Sequence, residues 1–218
     1  MARTQAADYE KRREKIVEKA AALYAERGFL GASISDLAKV CKTSKSLVYH
    51  YYPSKEDILF DVMHTHVRAL LDAAEGVLAR KLAPADALRA MTMEFMKLYV
   101  GAATRHKVLL NELRHLPRER RAIIVGTQNR LIAIVEGVLV SLRSDLSGRS
   151  ALKLPAAMLY FGMINWTHTW MDPSGPAKPA KIAELAVNMK QRTGVAQSRA
   201  AYPAPNAAVM RALFSDGA

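Results

Sequence analysis

The stretch SISDLAKVCKTSKSLVYHYYPSK, residues 33–55, decides the fold. It reads as two short helices, 34–41 and 45–51, separated by a tight break at Lys42-Thr43. Ser33 and Ser44 stand at N-cap positions, where a side-chain oxygen accepts from a free backbone amide of the first turn. Pro53-Ser54 ends the pair. Helices this short bury too little surface to stand alone. The flanking sequence supplies support on both sides. Residues 8–27 carry Ile16, Val17, Ala20, Leu23 and Tyr24 at helical spacing, with Gly28 as a stop. Residues 55–80 turn Ile58, Leu59, Val62, His66, Leu70 and Leu71 inward. Two short helices joined by a tight turn and braced by longer ones form a helix-turn-helix, whose second short helix enters the major groove.

Within that second helix the order of residue types is informative. Lys45, Ser46 and Leu47 occupy the N-terminal turn, which approaches base edges. Tyr49, His50 and Tyr51 follow one turn later, where hydroxyl and imidazole groups reach phosphates. Lys55 opens the next helix and is placed for a backbone phosphate, and Ser33 exposes a helix N-terminus suited to the same ligand. Ser44, at the head of the reading helix, completes the candidate DNA-binding set. Val48 and Tyr52 are expected in the core.

These residues resemble the DNA-binding domain of the TetR family of bacterial transcriptional regulators. The resemblance rests on AALYAERGFLGASISDLAKVC and SKSLVYHYYPSKEDIL, with Ser44, Lys45, Tyr49, His50, Tyr51, Pro53 and Lys55 in the family pattern. Three positions depart from it: Lys42 and Ser46 where glycine is common, and Tyr52 where phenylalanine is. A left-handed lysine costs roughly 1 kcal/mol, which predicts a differently shaped turn at Lys42.

The remaining sequence also reads as helices, so the fold class is all-α: a three-helix N-terminal helix-turn-helix domain and a larger C-terminal helical domain. Predicted helices cover 84–104, 105–116, 118–146, 154–171 and 180–192. The seventh carries Ile124, Leu131, Ile134, Val138 and Leu142 on one stripe. The expected divisions are 1–54, 55–193 and an Ala/Pro-rich tail at 194–218, with a short helix over 209–214.

The 218 residues carry a net charge of +12, from 32 basic and 20 acidic side chains. Such a balance points to polyanionic partners. Yet residues 1–60 hold 11 basic and 8 acidic residues, net +3, so most of the excess lies elsewhere. That distribution argues against a protein that condenses DNA by charge alone. One cysteine, Cys41, makes no internal disulfide and is expected as a small core residue. No uninterrupted apolar run approaches the ~18 residues of a membrane helix. The N-terminus lacks a signal-peptide core, and the expected compartment is the cytoplasm, with no membrane partner. No cofactor motif or catalytic constellation is visible, so an enzyme is not expected. No metal site is expected either: His64 and His66 project about 200° apart on a helix. Asn165-Trp166-Thr167 matches a glycosylation acceptor, without a secretory signal to give it meaning.

The resemblance implies a homodimer built by the last two long helices, operator DNA as partner, and a small-molecule effector. The predicted eighth helix is apolar nearly all round, as burial on two sides requires. Met91, Met93, Phe95, Met96, Leu98 and Tyr99 cluster in the fifth. Between Arg105 and Arg121 lie six basic residues, Arg114, Arg118 and Arg120 among them, against two glutamates. Two stretches, NELRHLPRERRAII and FGMINWTHTWMDPSGP, resemble a TetR subgroup that controls fatty-acid, steroid or phenylacetate catabolism and leaves DNA on binding acyl-CoA thioesters. The implied ligand residues are Arg114, Arg118, Arg121, Asn165 and Trp166, arginines meeting the CoA phosphates, and Met96 and Tyr99 join them from the apolar cluster of the fifth helix. The competing reading is a repressor of a drug-efflux gene, which would want acidic residues in its pocket. A carrier that has lost DNA binding fits poorly with intact Lys45, Tyr49 and Lys55.

Overall fold

The computed structural model describes residues 2–148, 150–172, 175 and 178–188. Its helices are α1 (Ala2–Gly31), α2 (Ile34–Cys41), α3 (Lys45–Tyr51), α4 (Lys55–Ala79), α5 (Pro84–Gly101), α6 (Ala103–Asn111) and α7 (Arg118–Leu142). They continue with α8 (Ser144–Ser147), α9 (Ser150–Asn165), α10 (Thr167–Trp170) and α11 (Pro179–Asn188). A 3-10 turn, Leu113–His115, lies between α6 and α7, and no strand occurs among the described residues. The expected tail at 194–218, its short helix, and the end of the last predicted helix at Arg192 lie outside the described residues.

Caps fix the ends of the first helices. The Ser33 hydroxyl accepts from the Asp36 amide at 3.1 Å, and the Asp36 carboxylate accepts from the Ser33 amide at 3.0 Å. That reciprocal pair is a capping box. Ser44 accepts from the Leu47 amide and Ser54 from the Asp57 amide, each at 3.1 Å. Gly28, at φ 71°, ends the regular part of α1, and the helical run resumes beyond this kink to Gly31. The expectation of an altered turn at Lys42 is overturned. Lys42 is left-handed, φ 54° and ψ 51°. Its amide donates to Lys39 at 3.0 Å, and the Thr43 amide donates to Ala38 at 2.9 Å. These bonds satisfy carbonyls at the end of α2 and offset the strain of a side chain at positive φ.

Other boundaries shift. The helix expected over 105–116 is α6 plus the 3-10 turn, because Ala102 and Glu112 leave helical geometry. The seventh stops at Leu142, where Arg143 is extended, and its buried stripe runs through Ile124, Leu131, Val135, Val138 and Leu139. The eighth starts earlier, at Ser150, accommodates Pro155 in its second turn, and breaks after Asn165.

Two apolar cores result. The first joins α1, α2 and α3 to the first half of α4, with Val108, Leu109, Leu116 and Ile124 closing it from the other side. The second joins the rest of α4 to α5, α7, α9 and Ala183 of α11. α4 is therefore the beam common to both. Ion pairs tie the assembly across elements: Arg105 to Glu14, Arg120 to Asp57, and Arg130 to Glu75 at 2.7 Å. α7 is apolar enough over 18 residues to match a membrane span by length and composition. Arg130 interrupts that stretch, so it is not an unbroken apolar run, and in the fold α7 packs on α4, α5 and α9.

Candidate functional site

Val48 and Tyr52 anchor α3, both buried. The Tyr52 hydroxyl donates to Asp61, which also accepts from Arg13 at 2.7 Å. With that side fixed inward, Lys45, Ser46, Tyr49 and His50 are exposed together on the opposite side. Leu47 and Tyr51 are half-buried. The Tyr51 ring packs on Tyr9 at 4.7 Å between centroids, and His50 meets Tyr51 edge-on at 5.4 Å. Tyr9 was not among the expected site residues; nothing in its neighbourhood in the sequence marks it.

Ser33 and Ser44 use their hydroxyls as caps. Asp36 stands at the same helix N-terminus as Ser33, its carboxyl held below the usual range by hydrogen bonds from the Ser33 hydroxyl and amide. Lys55 is half-buried, and its ammonium lies 4.1 Å from the centre of the Phe29 ring. Burial pulls its pKa down while Glu56 and Glu112 oppose the shift. A phosphate on Lys55 must therefore compete with an aromatic face already in place.

A second feature lies deeper. A cavity of about 220 Å³ opens between α4, α5, α6, α7 and α9. Val67 and Leu70 of α4, Tyr99, Leu109, Leu131 and Phe161 give it an apolar wall, and His106, Gln128 and Asn165 bring polar groups from three helices. Among the described residues, no charged side chain lines it. Behind the wall, His106 Nδ1 lies 3.1 Å from Nε2 of His66, and the Tyr99 ring stacks on His106 at 3.8 Å. Burial, helped by the charge of Arg105, pushes the His66 pKa down to about 4. Burial likewise raises the Tyr99 phenol above its ordinary value.

Of the expected ligand residues, Tyr99 and Asn165 line this cavity. Met96 is buried in the second core, in contact with the Thr167 hydroxyl at 3.8 Å, and is not on the cavity wall. Trp166 is 63% exposed on the outside. The basic run between Arg105 and Arg121 is not one surface. Arg105 and Arg120 are held by Glu14 and Asp57, and Arg120 also lies 4.6 Å over Phe60. Arg114, Arg118 and Arg121 are exposed. Arg121 precedes Gln128 by seven residues on α7, two turns or ~10 Å along the axis and within ~20° of the same face. α9 divides its apolar residues: Ala157, Tyr160, Phe161 and Ile164 face the core, while Leu154, Met158 and Leu159 are exposed, Leu159 at 76%.

Residues 16–62 match the family model for bacterial regulatory proteins of the tetR family. Residues 81–193 match that for the tetracyclin repressor-like C-terminal domain. Among solved structures, a TetR-family transcriptional regulator from Bordetella parapertussis 12822 is 36% identical, with 85% of this chain and 98% of that one covered and a TM-score of 0.80. AibR, solved in complex with isovaleryl coenzyme A and operator DNA, is 26% identical over 82% of this chain and 97% of its own, with a TM-score of 0.72. The HTH-type transcriptional regulator HbdR of Aromatoleum sp. (strain CIB) is 24% identical, with 74% of this chain and 69% of HbdR covered.

Proposed function

The chain belongs to the TetR family of bacterial transcriptional regulators, and on that premise we propose that it is a cytoplasmic, homodimeric repressor released from operator DNA by a small acyl-CoA thioester. The cavity carries this reading. At about 220 Å³ it is smaller than the ~300–1,000 Å³ of sites for drug-sized ligands, and it suits a short acyl group. Its apolar wall, without a charged side chain among the described residues, favours a neutral thioester over a free carboxylate, whose burial without a partner is costly. His106, Gln128 and Asn165 offer hydrogen bonds to the carbonyl. Arg121, with Arg118 one turn further out and Arg114 before the helix, supplies cations for the nucleotide phosphates. The likeness to AibR in its isovaleryl coenzyme A complex supports the same class.

The exposed apolar residues of α9, with Leu185 of α11 at 59% exposure, favour a second copy of the chain as their cover. α4 supports a route from ligand to DNA: Val67 and Leu70 touch the cavity, and its first turn follows α3 directly.

Calorimetry tests the reading with isovaleryl-CoA, phenylacetyl-CoA and their free acids. The thioesters should bind, the acids should not, and bound thioester should lower affinity for duplex DNA. Equal binding of the acids would make the arginines a solvated face. Binding of lipophilic cations alone would establish the drug-efflux reading, although among the described residues no acidic side chain lines the cavity to receive them.

A further inference from the structure

A net charge of +3 over residues 1–60 is a weak field for a segment that reads DNA. α1 sorts that charge by side. With Tyr9 at zero and about 100° per residue, the buried Ile16, Val17, Ala20, Leu23 and Tyr24 fall between about −40° and +80°. Glu10, Glu14 and Glu18 fall on one flank of this stripe, at about +100° to +180°. Arg12, Lys15 and Lys19 fall on the other, at about −60° to −120°, a run of three cations bounded on that flank by Asp8 before it and Glu26 two turns after it.

The two flanks meet different surroundings. On the acidic flank Glu14 is paired with Arg105 of α6, and Glu10 with Arg13 of α1. The basic flank faces α2, where Lys15 and Lys19 act electrostatically on the Cys41 thiol. The next residue, Lys42, is exposed and left-handed, a conformation that glycine adopts without strain. None of Arg12, Lys15, Lys19 and Lys42 has a carboxylate within ion-pair distance among the described residues. A solvated helix face normally alternates signs at one-turn spacing. Here Arg12, Lys15 and Lys19 are like charges three and four residues apart, an arrangement that destabilises a helix. The stripe bordering this flank reaches the reading helix, since Tyr9, one turn before Arg12, packs at a tilt on Tyr51 of α3.

We propose that Arg12, Lys15 and Lys19, continued by Lys42 in the turn, form a second DNA contact on the phosphate backbone beside the groove that α3 enters. The inference rests on the reading of α3 as the operator-binding helix. It gives the unpaired cations a polyanion to neutralise. It also explains how a domain of low net charge presents a positive surface: Glu10, Glu14 and Glu18 lie on the far side of α1 from these cations.

The test replaces Arg12, Lys15 and Lys19 together by glutamine in the full chain. A labelled duplex selected from a random pool by the unaltered chain, and a random-sequence duplex, are titrated over a series of KCl concentrations. The slope of log affinity against log salt should fall by about 2–3 per subunit, and so by about 5 for the two-fold dimer, on both duplexes, near 0.9 for each phosphate no longer neutralised. The thermal midpoint should hold, because all three side chains lie outside the core. A control removes three cations from the C-terminal helices, Arg89→Gln, Lys97→Gln and Lys181→Gln, and should keep the parental slope. Parental slope in the α1 variant overturns the inference, as does an equal fall in the control, which would make net charge the cause. In both cases DNA binding by the unaltered chain leaves the role of α3 standing. An unaltered chain that shows no salt-dependent DNA binding overturns both.

Discussion

His66 sits 2% exposed in α4, paired with His106 and pushed down to a pKa of about 4 by burial. The folded state keeps this ring neutral, whereas the unfolded chain protonates it near pH 6.5. The unfolded state therefore binds more protons between the two values. The stability tied to neutral His66 is complete above the unfolded value and is lost as pH falls toward the folded one. Going from about pH 7.5 to about pH 5 should cost on the order of 2 kcal/mol through this group, read by urea unfolding at both pH values. A folded His66→Gln variant should show a flatter dependence; an unchanged one would place the acid sensitivity elsewhere. A second residue-scale expectation concerns α3. Tyr49 is 50% exposed and Lys45 is exposed, so neither holds the core. Tyr49→Phe with Lys45→Ala should leave the unfolding curve in place while lowering operator affinity, and fluorescence anisotropy on the selected duplex reads the difference. Lys55→Ala is the less clean variant, since it also removes the contact with Phe29.

At the scale of elements, Lys42 links strain to function. Lys42→Gly relieves a side chain at positive φ and should raise stability by about 1 kcal/mol in chemical denaturation. The same change should weaken DNA binding if the lysine meets phosphate. A gain in stability at unchanged affinity would detach Lys42 from the DNA surface. The sequence made α2 and α3 legible because caps are local chemistry: Ser33, Ser44 and Ser54 each bond an amide three residues on. The core face of α1 was legible for the same reason, through spacing. The ends of α6, α7 and α9 were not, since tertiary contacts rather than local signals set them. The basic run misled because its partners are distant. Arg105 finds Glu14 across 91 positions and Arg120 finds Asp57 across 63. His66 and His106 are 40 positions apart, and neither marks the other in sequence. The cavity wall draws on five helices, so only Tyr99 and Asn165 were legible in the sequence, the first through the apolar cluster of the fifth helix and the second through resemblance.

At the scale of the whole molecule, the exposed row on α9 and the beam formed by α4 set two linked expectations. Light scattering at micromolar concentration should give about twice 24.1 kDa, because Leu159, Trp166 and Trp170 otherwise leave a large apolar area in water. Leu159→Glu, placing a charge on that face, should shift the mass toward one chain and weaken operator binding, since two half-sites are held together only by a dimer. The coupling between ligand and DNA then follows from α4. Its middle forms one wall of the cavity through Val67 and Leu70, and its first two turns carry Ile58 and Leu59 into the core shared with α3. A thioester releases DNA only if it binds the DNA-free arrangement of α4 more tightly than the DNA-bound one. By linkage, operator DNA must weaken thioester binding by the same factor, and ~1–3 kcal/mol would be typical. Calorimetric titration of isovaleryl-CoA with and without saturating duplex measures that factor from one side; anisotropy with and without thioester measures it from the other. The two factors should agree. Filling the cavity by Ile132→Trp should abolish both while leaving operator affinity intact in the absence of ligand. A thioester that binds this variant as before, and still releases DNA, would place the effector site outside the cavity.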